Sequence, residues 1–211
     1  MLTLYNASLC LRSVQFALIV CLLGGCTSQS PVKSVEMQDE RTGMTMGALL
    51  QPMAFIETGI YNPLVPNKTG IYDQLVDDKQ PSIVYMGPVE FDRSGDSTYL
   101  LWVQVAPGAG GHRLDDIRAR GAVNLKLDDG PVALSPLEQP VVASSPYRPM
   151  APVGQTAYFS IDVMLLKRMA TSQRLALNVR AGDLTMVDFI PMQETQAALK
   201  QFMIDRGIAN D

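Results

Sequence analysis

The chain has 211 residues, of which 47% are hydrophobic, and its formal net charge at pH 7 is −4. A chain of this length can bury a core without disulfides or a structural metal ion. The acidic balance, with no cluster of lysine or arginine, argues against nucleic-acid binding and against attraction to anionic lipid.

The first predicted element is an apolar run at residues 14–23, which ends in small residues. Arg12 is the only charged side chain ahead of it, and no acidic residue occurs before Glu36. A basic start, an apolar stretch and small residues before a cleavage point are typical of a secretory signal peptide. The apolar run is about ten residues long, which is too short to span a bilayer.

The sequence Leu23-Gly24-Gly25-Cys26 resembles the lipobox of bacterial lipoproteins. The resemblance implies that Leu23, Gly24 and Gly25 form the cleavage site and that Cys26 is diacylated on sulfur and then acylated on its new N-terminus. In Gram-negative lipoproteins an aspartate after the cysteine retains the protein in the inner membrane. Thr27 stands there in this chain, so the resemblance favours a lipid anchor in the outer membrane, with the protein on its periplasmic face.

These observations predict three parts of the chain. Residues 1–25 are the lipoprotein signal peptide, 26–40 are a lipidated tether, and 41–211 are a single β-rich globular domain. The tether is rich in Ser, Gln, Pro and charged residues and has little apolar surface with which to fold. Loss of the signal peptide, whose one charged residue is basic, changes the net charge from −4 to −5.

Cysteine and histidine are too few for a disulfide or a zinc site. Cys10 and Cys21 leave with the signal peptide, and Cys26 is the predicted lipid carrier. The remaining chain therefore has no pair of thiols to join, although its compartment would permit a disulfide. His112 is the only histidine, so the sequence predicts no tetrahedral nitrogen and sulfur metal site and no cofactor.

Most of the predicted domain is β-structure. Runs rich in β-branched and aromatic residues, many with apolar and polar residues alternating, predict strands at 44–46, 53–56, 83–91, 97–105, 123–127, 132–134, 157–163, 175–179 and 184–190. The turn at 92–96 predicts a hairpin in which Gly95 takes a positive φ. The strand at 97–105 has apolar residues on both faces, which predicts a central position in the sheet. Long loops are predicted at 59–81 and at the proline-rich 136–154.

Two helices complete the prediction. A short one covers 164–170, with Asp162 as its N-cap, and a second runs from about 192 to 206, with Gly207 at its C′ position. Hairpin spacing without long helices between strands predicts a mainly β fold. We expect an antiparallel β-sandwich or curled sheet with the short helix and the C-terminal helix packed on it.

Paired carboxylates are the only acid–base candidates. Each pair lies in a turn or polar loop, where Asp is favoured because its side chain bonds to nearby backbone, and a weak calcium site is the second interpretation. The pairs are Asp77/Asp78, Asp92/Asp96, Asp115/Asp116 and Asp128/Asp129.

Aromatic residues provide candidates for binding a partner. Trp102 is the only tryptophan and is expected in the core. Tyr147 and Arg148 in the proline-rich loop are the candidates for binding another protein, because Tyr and Arg are enriched at the centres of interfaces.

The sequence predicts a non-enzymatic, lipid-anchored module that interacts with or helps to assemble components of the cell envelope. Two alternatives stay open at this point. A periplasmic hydrolase that uses paired carboxylates would need two of them in one cleft, about 5–10 Å apart. A carrier of a small ligand or lipid would need an apolar cavity.

Overall fold

A computed structural model describes most of the predicted domain. The described residues are 33–39, 42–58, 81–106, 114–138, 145–147, 154–181 and 186–208. Residues Val32–Asp211 form one compact unit. The predicted signal peptide and most of the predicted loop at 59–81 lie outside the described residues.

The described segments contain ten strands and two helices. The strands are β1 Ser34–Gln38, β2 Thr45–Leu49, β3 Met53–Glu57, β4 Ile83–Arg93, β5 Asp96–Ala106, β6 Val123–Leu127, β7 Gly130–Ala133, β8 Gln155–Ile161, β9 Ala176–Arg180 and β10 Met186–Pro191. The helices are α1 Val163–Thr171 and α2 Thr195–Asp205. The pairings of these strands are antiparallel. The prediction of a mainly β fold with a short and a C-terminal helix is confirmed.

The β4–β5 hairpin forms the centre of the sheet. Its two strands have 11 residues each and pair along their whole length. Ser94 and Gly95 turn the chain with positive φ values of 58° and 94°, which confirms the predicted role of the glycine. The strand β5 lies between β4 and β8, and its side chains from Leu100 to Val105 are buried on both faces. The predicted central position is also confirmed.

Pro52 lies at a break between β2 and β3, which both pair with the edge of β4 that faces away from β5. Residues 45–48 of β2 pair with 89–92 of β4, and residues 53–56 of β3 pair with 83–86. Four residues, 49–52, therefore lie opposite two, and Pro52 has no N–H to continue the ladder. Beyond this break the two strands take different outer neighbours, since β2 pairs with β1 and β3 pairs with β10.

The sheet curls until its ends meet. From β4 the order runs through β3, β10, β9, β6 and β7 on one side and through β5 and β8 on the other. The chain after β7 reaches β8, where the amide of Leu137 donates to the carbonyl of Tyr158 at 2.8 Å and Pro136 bridges to Phe159. Of the two predicted forms, the curled sheet describes this closure.

Both helices begin or end with the signals that the sequence contains. Asp162 caps α1 by accepting the amide of Leu165 at 2.6 Å. At the end of α2, Gly207 has φ 67°, and the amide of Ile208 reaches the carbonyl of Met203 at 2.9 Å. This is the pattern of a Schellman motif, which needs the left-handed conformation that glycine adopts without strain. The helix α2 packs against α1 and also contacts β1 and β2.

The domain begins earlier than predicted. Strand β1 lies inside 26–40, the segment predicted to be a tether, and pairs with β2 from Ser34 opposite Leu49 to Gln38 opposite Thr45. The predicted boundary at Arg41 is therefore wrong for residues 34–38. The strand is polar on its exposed side and places only Val35 and Met37 against the core, so its own sequence carries a weak apolar signal.

Candidate functional site

The predicted anchor is not part of the described structure. Leu23, Gly24, Gly25 and Cys26 lie outside the described residues. Within the described part of the chain, neither helix has the length and apolar character that crossing a membrane requires.

Tyr147 is buried, which corrects its predicted role as a partner-binding residue. Only 2% of it is exposed. Its hydroxyl accepts the amide of Leu49 at 3.2 Å and donates to the carbonyl of Pro88 at 2.9 Å. Burial raises the pKa of Tyr147, against the opposing effect of the Leu49 amide. The prediction is wrong for this residue because its hydroxyl is hydrogen-bonded to the backbone of β2 and β4 inside the domain. Arg148 lies outside the described residues.

Tyr147 lies on Trp102 and over a glycine of β4. The two ring centroids are 4.9 Å apart at an interplanar angle of 43°. A Cβ atom on Gly87 would lie 2.3 Å from the tyrosine oxygen, so only glycine leaves room for the ring. The indole N–H of Trp102 is buried and has no acceptor among the described residues. The two aromatic side chains on this face of the hairpin are uncharged and buried from solvent.

A charged cluster lies on the opposite face of the same hairpin. Glu90 of β4 is 9% exposed, and its Oε1 accepts the hydroxyls of Ser97 at 2.8 Å and Tyr99 at 3.2 Å. Its Oε2 lies 3.6 Å from Nη1 of Arg206, the residue that ends α2. Burial raises the pKa of Tyr99, and the charge of Glu90 adds to this effect. Tyr99 is therefore a neutral hydrogen-bond donor at physiological pH.

Arg206 reaches this cluster across a glycine of β2. A Cβ atom on Gly47 would lie 2.6 Å from Nη1 of Arg206. The Nε of Arg206 is buried and has no acceptor among the described residues. The cluster joins the end of α2 to the middle of the sheet. The sequence analysis did not identify this cluster, because Glu90 and Arg206 are more than a hundred residues apart. The available signal was a carboxylate, Glu90, inside an otherwise apolar strand.

A second contact joins α2 to the first strand. The hydroxyl of Ser34 at the start of β1 donates to Asp205, and this bond is the main cause that lowers the pKa of the Asp205 carboxyl. The amide of Leu50 donates to the carbonyl of Lys33 at 2.7 Å. The entry of the chain into the domain is therefore fixed by β2 on one side and by the end of α2 on the other.

The carboxylates of Asp128 and Asp129 point to different partners. Asp128 accepts the amides of Gln173 at 2.7 Å and Arg174 at 3.0 Å. Asp129 bonds to the guanidinium of Arg168 at 2.8 and 2.9 Å. The pKa of Asp128 is lowered mainly by the hydrogen bond from the Gln173 amide. The pKa of Asp129 is lowered mainly by the hydrogen bonds from Arg168. These bonds attach the β6–β7 turn to the end of α1.

Three aspartates of the other two described pairs bond to their own turns or to a neighbouring strand. Asp115 forms a half-buried ion pair with Arg180 at 2.7 Å, and Asp116 accepts the amide of Arg118 at 3.0 Å. The bond of Asp116 is the kind expected of an aspartate in a turn, whereas the ion pair of Asp115 joins two distant segments of the chain.

In the hairpin turn, Asp92 accepts the amide of Gly95 at 3.1 Å, and Asp96 is exposed at the start of β5. The bond of Asp92 matches the turn chemistry predicted for the aspartates.

No metal site can be assembled from the described residues, since they contain no suitable group of three or more His, Cys, Asp or Glu side chains. Asp77, Asp78 and His112 lie outside them. A shallow groove of about 210 Å³ separates the end of α1 from the start of α2. This volume is below the roughly 300–1,000 Å³ of pockets that hold a ligand, and six of the eight lining residues have polar side chains, so the groove does not match the apolar cavity that a lipid carrier needs. The lining residues are Ser172, Gln173, Leu175, Pro191, Gln193, Glu194, Thr195 and Gln196.

Comparison of the chain with protein-family models, with curated proteins and with solved structures gives no match.

Proposed function

We propose that this protein is a lipid-anchored component of the bacterial envelope that works by binding other envelope components. The observation that carries the proposal is the leader, in which an apolar run with a basic start ends in Leu23-Gly24-Gly25-Cys26. Stable anchoring to a membrane needs two lipid signals, and Cys26 would have three acyl chains. Each buried methylene group of these chains would contribute about 0.8 kcal/mol.

The early start of the sheet supports a domain held close to the membrane. Ser34, the first residue of β1, follows Cys26 by eight positions. Eight residues span at most about 29 Å even when fully extended. A domain of about 180 residues has a diameter of roughly 40 Å. The segment from Cys26 to Ser34, which we now call the tether, is therefore shorter than the diameter of the domain that it holds, and this favours action at the membrane surface.

A binding role is supported by how the described carboxylates are used. Asp115, Asp128, Asp129 and Glu90 each bond to a cation or amide of the fold itself. The domain also exposes large apolar side chains, among them Met164 and Met192 near the helices, which are 65% and 56% exposed. Single exposed apolar side chains also occur on proteins that bind no partner, so these two positions are where the crosslinking experiment below tests the proposal.

The anchor is tested by replacing Cys26 and following the protein through cell fractionation. We expect Cys26→Ala to accumulate as uncleaved precursor or unlipidated protein. The matched control is Cys21→Ala, which changes a cysteine five residues earlier in the leader and should leave processing and membrane retention unchanged. A wild-type mass without acyl chains, or a Cys26→Ala variant that is processed and retained as the wild type is, would refute the anchor.

The outer-membrane location is tested separately at the next residue. We expect Thr27→Asp to move the lipidated protein to the inner-membrane fraction, with Thr27→Ser as the control that stays in the outer membrane. Equal distribution of both variants and the wild type between the two membranes would contradict the proposed sorting.

The binding role is tested by photo-crosslinking in cells. A photoreactive residue at Met164 or Met192 should give the same discrete adduct in repeated experiments, and mass spectrometry would identify the captured protein. Ser94, at the tip of the β4–β5 hairpin, is the control position. Absence of a specific adduct at either position across growth conditions would count against an interaction role.

A further inference from the structure

Two exposed apolar side chains lie where the chain enters the domain. Leu50 is 57% exposed and Ile204 is 59% exposed. The amide of Leu50 is bonded to Lys33, and Ile204 precedes Asp205, which is bonded to Ser34. Both apolar side chains therefore belong to residues next to the first described residues of the chain. They come from distant parts of the sequence, the β2–β3 break and the end of α2.

We propose that Leu50 and Ile204 form a surface that rests on the lipid bilayer, and we call these two residues the entry patch. This inference rests on the proposed function, because it takes the lipid on Cys26 as the reason that the patch lies near a membrane. It goes further by stating which side of the domain faces the lipid.

The length of the tether is the first argument. Ser34 follows Cys26 by eight positions, and eight residues reach at most about 29 Å even when fully extended. The start of β1 is then held within that distance of the acyl chains, and so is the entry patch beside it. A short tether gives a high effective concentration, so a contact too weak to bind the domain by itself can still orient the tethered domain.

The chemistry of the surroundings is the second argument. Lys33 and Asp205 are exposed beside the patch and have opposite charges. Their opposite charges leave little local net charge, so attraction to anionic headgroups has a small part in the contact. The insertion of Leu50 and Ile204 into the acyl boundary is the favourable contribution, as for other apolar residues that bind interfaces. The contact should therefore be insensitive to salt.

The experiment uses the full lipidated protein in lipid vesicles, with an environment-sensitive fluorophore on one introduced cysteine. After processing, the acylated Cys26 is the only native cysteine, so each variant has a single free thiol. The test variants are Leu50→Cys and Ile204→Cys. The controls are Met164→Cys and Met192→Cys, which are equally exposed apolar positions. Met192 lies before the start of α2, at the opposite end of that helix from Ile204.

We expect the fluorophore at positions 50 and 204 to shift to the blue in vesicles and to be quenched by a bilayer-embedded quencher. The controls should keep their emission. Equal spectra at all four positions would overturn the inference. A shift at 50 and 204 that appears without lipid and grows with protein concentration would also overturn it, because a second copy of the chain would then be the occupant.

The same samples separate failure of this inference from failure of the proposed function. Mass spectrometry reports whether Cys26 is acylated. Acylated protein with no difference between test and control positions refutes the entry patch and leaves the anchor intact. Protein that is never acylated refutes the anchor, and the entry patch with it.

Discussion

On each face of the sheet around the β4–β5 hairpin, a large side chain from a distant part of the chain packs over a glycine, but one of these side chains is neutral and the other is charged. On one face Tyr147 lies over Gly87, and on the other Arg206 lies over Gly47. Each glycine leaves room for a large side chain that comes from a distant part of the chain. The tyrosine is neutral and both its hydrogen bonds are satisfied by backbone. The arginine is charged, its ion pair is 3.6 Å long, and its Nε has no acceptor among the described residues.

This difference shows where the fold can tolerate change. A buried neutral ring contributes through apolar area and shape, so its removal leaves a cavity. A buried ion pair contributes less than its charges suggest, because both groups lose water on burial. We therefore expect the aromatic face to stabilise the domain more than the charged face.

The largest effect should come from Tyr147→Ala. Loss of a fully buried ring should lower the free energy of unfolding by about 3–5 kcal/mol. Tyr147→Phe keeps the ring and removes only the hydroxyl, so it should cost about 2 kcal/mol, since one amide and one carbonyl lose a partner. Urea denaturation followed by circular dichroism measures both. A Tyr147→Ala protein as stable as the wild type would show that the ring is not a core residue.

The second effect concerns the charged face. Glu90→Gln should lower the free energy of unfolding by about 3 kcal/mol, because it removes the carboxylate that forms the ion pair with the buried guanidinium of Arg206. Arg206→Met should cost only about 1 kcal/mol, since Glu90 keeps the hydroxyls of Ser97 and Tyr99 as donors. The same denaturation experiment compares them. If Arg206→Met were the more damaging change, the hydroxyls would not be adequate partners for the carboxylate.

The two glycines allow a direct comparison with one methyl group. Gly87→Ala should cost about 1–3 kcal/mol, because the new Cβ meets a rigid ring that cannot move without leaving the core. Gly47→Ala should cost less, since the atoms it meets are mainly the flexible end of Arg206. Thermal unfolding of the two variants ranks them. Equal losses of stability would mean that Arg206 is as firmly held as Tyr147.

Much of the sheet follows from local sequence. The β4–β5 hairpin was predictable because its strands are rich in β-branched and aromatic residues and its turn contains Gly95 at a position that needs positive φ. The same holds for the ends of the helices, where Asp162 and Gly207 have caps that depend on a few neighbouring residues. Local chemistry determines these features, so a single sequence contains them.

The contacts between distant segments were not predictable. The sequence contains the glycines at 47 and 87 but does not say that a tyrosine or an arginine covers them, because these residues are 60 to 159 positions away. Tyr147 was predicted on a surface because prolines surround it, yet the fold turns its ring inward. β1 was missed for a related reason, since it gains its stability from pairing with β2 and from the Ser34–Asp205 contact rather than from its own composition.

The smallest effect concerns an exposed carboxylate, which sharpens the contrast with buried Glu90. Hydrogen bonds from Gln173 and then Arg174 hold the pKa of Asp128 below its usual value of 3.8. A pKa lowered by folding contributes stability above the unfolded pKa, and this contribution is lost as the pH falls through the folded pKa. Asp128→Asn should therefore lower the melting temperature slightly at pH 7, and the difference from wild type should shrink as the pH falls below 3.8. Asp96→Asn, at an exposed position of the hairpin, is the matched control. If the difference at Asp128 persisted unchanged at low pH, its amide bonds would not depend on the charge, and packing of the β6–β7 turn would have to account for them.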